Sequence, residues 1–166
     1  MIDRLLDFLT GRAEPTTENG VDELELSVAA LLIEAARMDN DFDVAERATI
    51  ERLLAKKFDL GPEAVHSLCD RAERAVQRSA QYFPFTHQIC TRMSAESRIH
   101  IVEMLWKVAY SDGILDPHED ALLRQIGGLI HVPDRERGAA RKRALEKLAE
   151  TKRAAAPEPL DDPVTS

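Results

Sequence analysis

Residues 29–54 and 102–127 carry one pattern twice, and this duplication limits what the chain can fold into more than any other feature of its sequence. Superposed, Ile33 falls on Trp106, Ala36 on Ala109, Asp39 on Asp112, Phe42 on Leu115, Asp43 on Asp116, Glu46 on Glu119, Ile50 on Leu123 and Leu53 on Ile126. Both stretches read Asp-x-x-apolar-Asp-x-x-Glu between two segments of helical periodicity. The second loop position is Asn40 in one copy and Gly113 in the other, the residue types that best tolerate the left-handed conformation closing a helix. A helix-loop-helix made twice is therefore expected to build the fold.

The surrounding periodicity agrees. Leu24, Val28, Leu31, Leu32 and Ala35 recur at helical spacing, as do Ile50, Leu53, Leu54 and Phe58. A helix opening at Gly61-Pro62 would turn Val65, Leu68, Cys69, Ala72 and Val76 inward, with proline where a helix start allows it. Tyr82-Phe83-Pro84-Phe85 reads as a break. Helical spacing resumes with Ile99, Val102, Leu105, Trp106 and Ala109, then with Leu122, Leu123, Ile126 and Ile130, and Pro133 begins a last, highly charged helix. Gly127-Gly128 inside a helical pattern suggests close packing or a kink. No segment alternates as a strand would, so the expected class is all-α, a compact bundle of about seven helices. At 166 residues and 44% hydrophobic content the chain suits one core. The expected organisation is a short amphipathic helix over 1–10, a linker over 11–21, the helical domain over 22–150 and a disordered tail over 151–166.

The acidic loops have two readings. Asp followed by Glu at the third position of an apolar helix is a capping box, so Asp43 and Asp116 would cap helices, and Glu46 and Glu119 would reach back to the cap amide. That leaves Asp39 and Asp112 unexplained, because each falls at a helix C-terminus, where the dipole disfavours a carboxylate. Gathering so many acids calls for a cation or a basic side chain, and hard oxygen ligands suit calcium or magnesium. The candidate metal ligands are Asp39, Asp43, Glu46, Asp112, Asp116 and Glu119. The loops are not EF-hands, since Val44 stands where that motif needs glycine and Ile50 where it needs glutamate.

These residues also resemble a known family. Residues 103–119, with Asp112-Gly113-Ile114-Leu115-Asp116-Pro117-His118-Glu119, and their counterpart over 34–46 are similar to the TerB-like tellurite-resistance proteins. The similarity runs over roughly 22–150, includes the connection from Tyr82 to Met93, and extends to the N-terminal helix. It implies a helical domain of about seven helices with internal duplication, and a role in metal sensing or binding within a stress response to tellurite and other toxic oxyanions. The family's acidic positions map onto the same six residues. Asp39-Asn40 departs from the Asp-Gly form of the second loop.

Other signals point elsewhere or nowhere. A net charge of -8 works against general binding to nucleic acid or anionic lipid and favours divalent cations and basic partners. Asp3 and Asp7 in the first helix leave membrane association unsupported, and docking on the domain itself is the expectation. Two cysteines and no signal-peptide pattern suggest a reducing, cytoplasmic setting. His66-x-x-Cys69 and His87-x-x-Cys90 have zinc-like composition, yet Cys69 falls on an apolar stripe, so zinc is not expected. The basic residues Arg135, Arg137, Arg141, Lys142, Arg143 and Lys147 of the last helix read as a solvated face of i, i+4 pairs, with docking to an acidic or phosphate-bearing partner as a second reading. No phosphate loop or nucleophile motif is present, and such polar loops would leave carboxylates ionised, so an enzyme is not expected. The reading is a cytoplasmic cation-binding module with unidentified protein partners, against a metal-independent interaction module.

Overall fold

The first helix of the bundle, α1 (Glu23–Ala36), is apolar almost all the way round, and a helix of that kind must be enclosed. In the computed structural model, which describes residues 23–37, 42–78, 83–111, 113 and 117–156, it is enclosed. Val28, Ala29, Ala30, Leu31, Leu32 and Ile33 have no exposed surface, and α1 touches α2 (Val44–Phe58), α3 (Pro62–Arg78), α4 (Phe83–Arg92), α5 (Ala95–Ala109) and α6 (Pro117–Leu129). The alanines on its faces let neighbouring backbones approach closely. Ser27, its buried polar residue, is satisfied by donating from Oγ to the Glu23 carbonyl at 2.8 Å.

Helix α5 repeats this role in the second half, with Ile101, Val102, Met104, Leu105, Trp106 and Val108 all buried. It packs most extensively against α7 (Asp134–Ala155), as α1 does against α3, and α1 and α5 meet each other. Seven helices and no strand are found among the described residues, so the all-α bundle expected from the periodicity is present. The apolar stripe read for α3 is buried residue for residue: Val65, Leu68, Cys69, Ala72 and Val76.

The duplication extends further than one helix-loop-helix. Both α2 and α6 end in the same Schellman turn: Leu60 N–H donates to the Ala55 carbonyl at 3.0 Å, and Val132 N–H to the Gly127 carbonyl at 2.9 Å. The left-handed residue is Asp59 (φ 53°) in the first and His131 (φ 57°) in the second. The copied unit is thus three helices, α1-α2-α3 and α5-α6-α7, with α4 set between the copies.

Three sequence expectations change. The stretch read as a connection after Tyr82 contains α4, which packs on α1 and buries Thr86 and Ile89. Pro84 sits in its first turn, where its missing N–H breaks no helical hydrogen bond. The last helix runs to Ala155, past the expected boundary at 150, because the alanine-rich end continues the helix at little entropic cost. Its basic face is only partly solvated: Arg135, Lys142, Lys152 and Arg153 are exposed, but Arg141 lies over the Trp106 ring at 5.0 Å, and Arg143 and Lys147 reach Glu103. Lys142 and Glu146, 4.0 Å apart, form the exposed i, i+4 pair. Arg137 packs across Gly127, where a Cβ would come within 2.5 Å of its Cδ, which accounts for the Gly127-Gly128 pair. The N-terminal helix over 1–10, the linker over 11–21 and the tail from 157 lie outside the described residues.

If α1 is the post of the bundle, truncating it should cost far more than truncating the outer helix. Leu32→Ala is expected to lower the unfolding free energy by about 2–5 kcal/mol in urea titrations. Leu145→Ala, where the side chain is 41% exposed, should change it by less than about 0.5 kcal/mol.

Candidate functional site

The first acidic loop opens α2 through a complete capping box. Asp43, in extended conformation, accepts on Oδ1 from the Glu46 N–H at 2.8 Å, and its own N–H donates to Glu46 Oε2 at 3.1 Å. Two amides that the helix leaves without partners are thereby satisfied. Phe42 beside the cap packs against the core. In the second loop Gly113 has φ 85°, the left-handed conformation that its type and position predict, and its N–H donates to the Tyr110 carbonyl at 3.0 Å. Glu119 sits at the third position of α6, as Glu46 does in α2. Both are buried, 7% and 5% exposed, although each belongs to a polar loop.

Of the six candidate ligands, Asp43, Glu46 and Glu119 are therefore located, and Asp43 and Glu46 are brought together by hydrogen bonds. Asp39, Asp112 and Asp116 lie outside the described residues. Among the described residues no group of three or more His, Cys, Asp or Glu side chains is gathered as a metal would require. A basic neighbour is at hand for the second loop: Lys152 Nζ lies 3.8 Å from where a Cβ on Gly113 would be.

Each half also closes its outer helix pair with ion pairs, and the polarity is reversed between them. In the first half Arg47 of α2 pairs with Glu51 at 3.1 Å and crosses to α3, reaching Asp70 at 2.6 Å and also Glu73. Burial works against the Arg47 charge, but the hydrogen bonds to Asp70 and Glu51 and the field of Glu73 hold its pKa above the ordinary value. The superposed position in the second half is Asp120 of α6, which pairs with Arg124 at 2.7 Å and with Arg141 of α7 at 3.7 Å. Arg141 is further fixed by donating from Nε to the Tyr110 hydroxyl at 2.9 Å and by lying over Trp106.

The two His-x-x-Cys pairs serve separate purposes. His66 Nδ1 sits 3.1 Å from Glu51, while Cys69 is fully enclosed in the core, where burial, with Glu51 adding to it, pushes its thiol up to about 12. Cys90 Sγ donates to the Leu129 carbonyl at 3.4 Å.

The sequence does not single out Glu103, a nearly buried carboxylate on which three cations converge. It is 4% exposed on the otherwise apolar run of α5, at the position that Ala30 occupies in the first half. Lys107 at 3.0 Å, Arg143 at 3.2 Å and Lys147 at 2.7 Å converge on it. Burial pushes its carboxyl up, but the hydrogen bonds from Lys147, Lys107 and Arg143 outweigh that effect and bring it down from 4.5 to about 2. A lone acid in the middle of a buried helical run was the available signal, because such a group must find cations. Which cations it finds depends on how α7 crosses α5.

A depressed carboxyl contributes stability above its unfolded pKa and loses it as pH falls toward the folded one. The displacement of Glu103 from 4.5 to about 2 corresponds to about 3 kcal/mol at most. Wild type should lose this contribution between pH 4.5 and 2. Glu103→Gln should be less stable at neutral pH and flatter across that window when urea midpoints are followed against pH.

No helix among the described residues is long and apolar enough to cross a membrane. In comparison with protein families, the model described as "Tellurite resistance protein TerB" matches residues 25–142, from the first turn of α1 into α7. No curated protein and no solved structure matches the chain. The family match covers the first three-helix unit, both acidic loops and the second unit as far as the first turns of α7, and the chain belongs to the TerB family.

Proposed function

We propose that this TerB-family chain is a tellurite-resistance-type stress module, cytoplasmic and non-enzymatic, that takes divalent cations at its duplicated acidic loops and presents the altered surface to a protein partner. The observation that carries this reading is the matched pair of buried glutamates, Glu46 and Glu119, each set at the third position of the helix that follows an acidic loop, with Asp39, Asp41 and Asp43 in the first and Asp112 and Asp116 in the second. Carboxylates withdrawn from water beside further carboxylates are best accommodated by a cation, and their hard oxygens suit calcium or magnesium. Asp39, Asp43 and Glu46 would serve one loop, and Asp112, Asp116 and Glu119 the other. Asp43 Oδ1 and Glu46 Oε2 are already engaged by the capping box, so the cap would orient their side chains while the other carboxylate oxygens face the ion.

A second reading has its own support. The closed capping box gives Asp43 and Glu46 a role without metal, and Lys152 beside Gly113 supplies a positive charge at the second loop. On this reading the acids fix helix ends and attract a basic protein partner.

The two readings part in a thermal unfolding experiment on chelator-treated protein, with and without millimolar calcium or magnesium. A cation at about a hundred times its Kd adds about 2.7 kcal/mol and should raise the wild-type midpoint by several degrees. Asp39→Asn/Asp112→Asn should keep its helical circular dichroism and lose the shift. A wild type whose midpoint ignores both cations, and which takes up neither in direct titration, would leave the metal-independent reading standing.

A further inference from the structure

A basic groove of about 480 Å3 lies between the C-terminal half of α2, the end of α5 and the last turns of α7. Arg52 and Lys56 come from α2, Lys107 from α5 and Lys147 from α7, so four cations converge in a chain whose net charge is -8. Glu150 is the one carboxylate on the lining among the described residues. Glu103 holds Lys107 and Lys147 in place from the side of the core, at 3.0 and 2.7 Å. Its single charge is also shared with Arg143, so it cannot neutralise the wall it supports. Arg52 and Lys56 are exposed, stand one turn apart on α2, and have no acidic partner among the described residues.

Such an arrangement holds like charges near one another at an electrostatic cost that an anion would relieve. His100 nearby is held below its ordinary value chiefly by burial and by Lys57, 3.4 Å away, with smaller contributions from Lys107 and Lys147 of the groove. The donor set is specific about the kind of anion. Arginine and three lysines spread over three helices exceed what one carboxylate can satisfy, and they suit the several oxygens and double charge of a phosphate. Ser111 also lines the groove, with its Oγ buried and without a hydrogen-bond partner among the described residues. Thr49 and Thr151 already donate to the Ala45 and Lys147 carbonyls. Leu53 and Leu148 add apolar surface, and the volume lies in the range of small-molecule sites.

We propose that this groove is a binding site for a phosphate-bearing ligand, in which Arg52, Lys56, Lys107 and Lys147 hold the phosphate and Leu53 and Leu148 receive a small organic portion. The site is separate from the cation reading of the acidic loops and draws on different residues. A free phosphate compound and a phosphate headgroup at a lipid surface share this chemistry.

The test uses the full chain in the presence of chelator, so that its result does not depend on the acidic loops. Inorganic pyrophosphate is titrated calorimetrically, and sedimentation is followed with phosphatidylcholine vesicles with and without phosphatidic acid. The variants are Arg52→Glu/Lys56→Glu in the groove and Arg135→Glu/Lys142→Glu, an equal charge change at exposed positions outside it. Circular dichroism checks that both remain folded. The groove variant should weaken binding by on the order of tenfold or more through loss of two charge-assisted contacts. The outer variant should stay within about twofold of wild type, since it retains every phosphate contact. Groove-dependent binding of pyrophosphate assigns a soluble ligand, and groove-dependent binding of the phosphatidic acid vesicles alone assigns a headgroup. Binding of neither probe, or equal weakening by both variants, overturns the proposal.

Discussion

The bundle depends on α1 being enclosed on every side. A helix with Val28, Leu31, Leu32 and Ile33 fully covered, and with alanines between them, has no face to give to solvent, so five other helices must surround it. The hydrophobic effect requires that enclosure without specifying its geometry. The small residues then decide how closely the neighbours approach. Helix α5 is built to the same rule with one exception, Glu103, and that exception organises the second half. A carboxylate placed where the first half has alanine must be met by cations, so α7 brings Arg143 and Lys147 against α5, and α5 itself contributes Lys107. Part of the charge on the last helix is therefore tied to the core, although its composition suggests a helix facing water.

Duplication creates a problem of recognition within one chain, since either outer helix pair can be approached by the wrong copy. The ion pairs answer it through polarity. In the first half a cation on α2, Arg47, faces acids on α3; in the second an acid on α6, Asp120, faces a cation on α7. Exchanging partners would set Asp120 against Asp70 and Glu73, and Arg47 against Arg141, like charge against like. These contacts are half-exposed and contribute modestly to stability, but the difference between the correct and exchanged pairings is larger than either contact alone.

The same economy of charge separates two polar regions of the molecule. In sequence, acidic residues are concentrated in the loops that join α1 to α2 and α5 to α6, while in the structure basic residues line the groove between α2, α5 and α7. Ser111 lies on the groove and Gly113, two residues later, lies in the second acidic loop beside Lys152, so the two regions adjoin. An excess of negative charge over the whole chain is thus compatible with a local surface of the opposite sign, because each charge is felt over little more than a Debye length in salt.

What the sequence determined by itself was local or repetitive. Helical periodicity set the class and the buried stripe of α3, cap chemistry set the Asp43–Glu46 box, and a glycine at the second loop position set the left-handed turn at Gly113, because each depends on residues within a few positions of one another. The repeat announced two halves and, through its acidic residues, the family. It did not reveal that each half has three helices, since the third helices share a turn and a packing role but little side-chain pattern. Helix α4 was concealed by an aromatic-proline cluster that reads as a break, although Thr86 and Ile89 are spaced for one buried face. Only the tertiary structure decided which cations meet Glu103, which helix Arg47 crosses to, and that Arg52 and Lys56 share a groove with Lys107 and Lys147. Those relations join residues from helices distant in the chain, and the crossing of packed helices, which no local spacing encodes, brings them within reach.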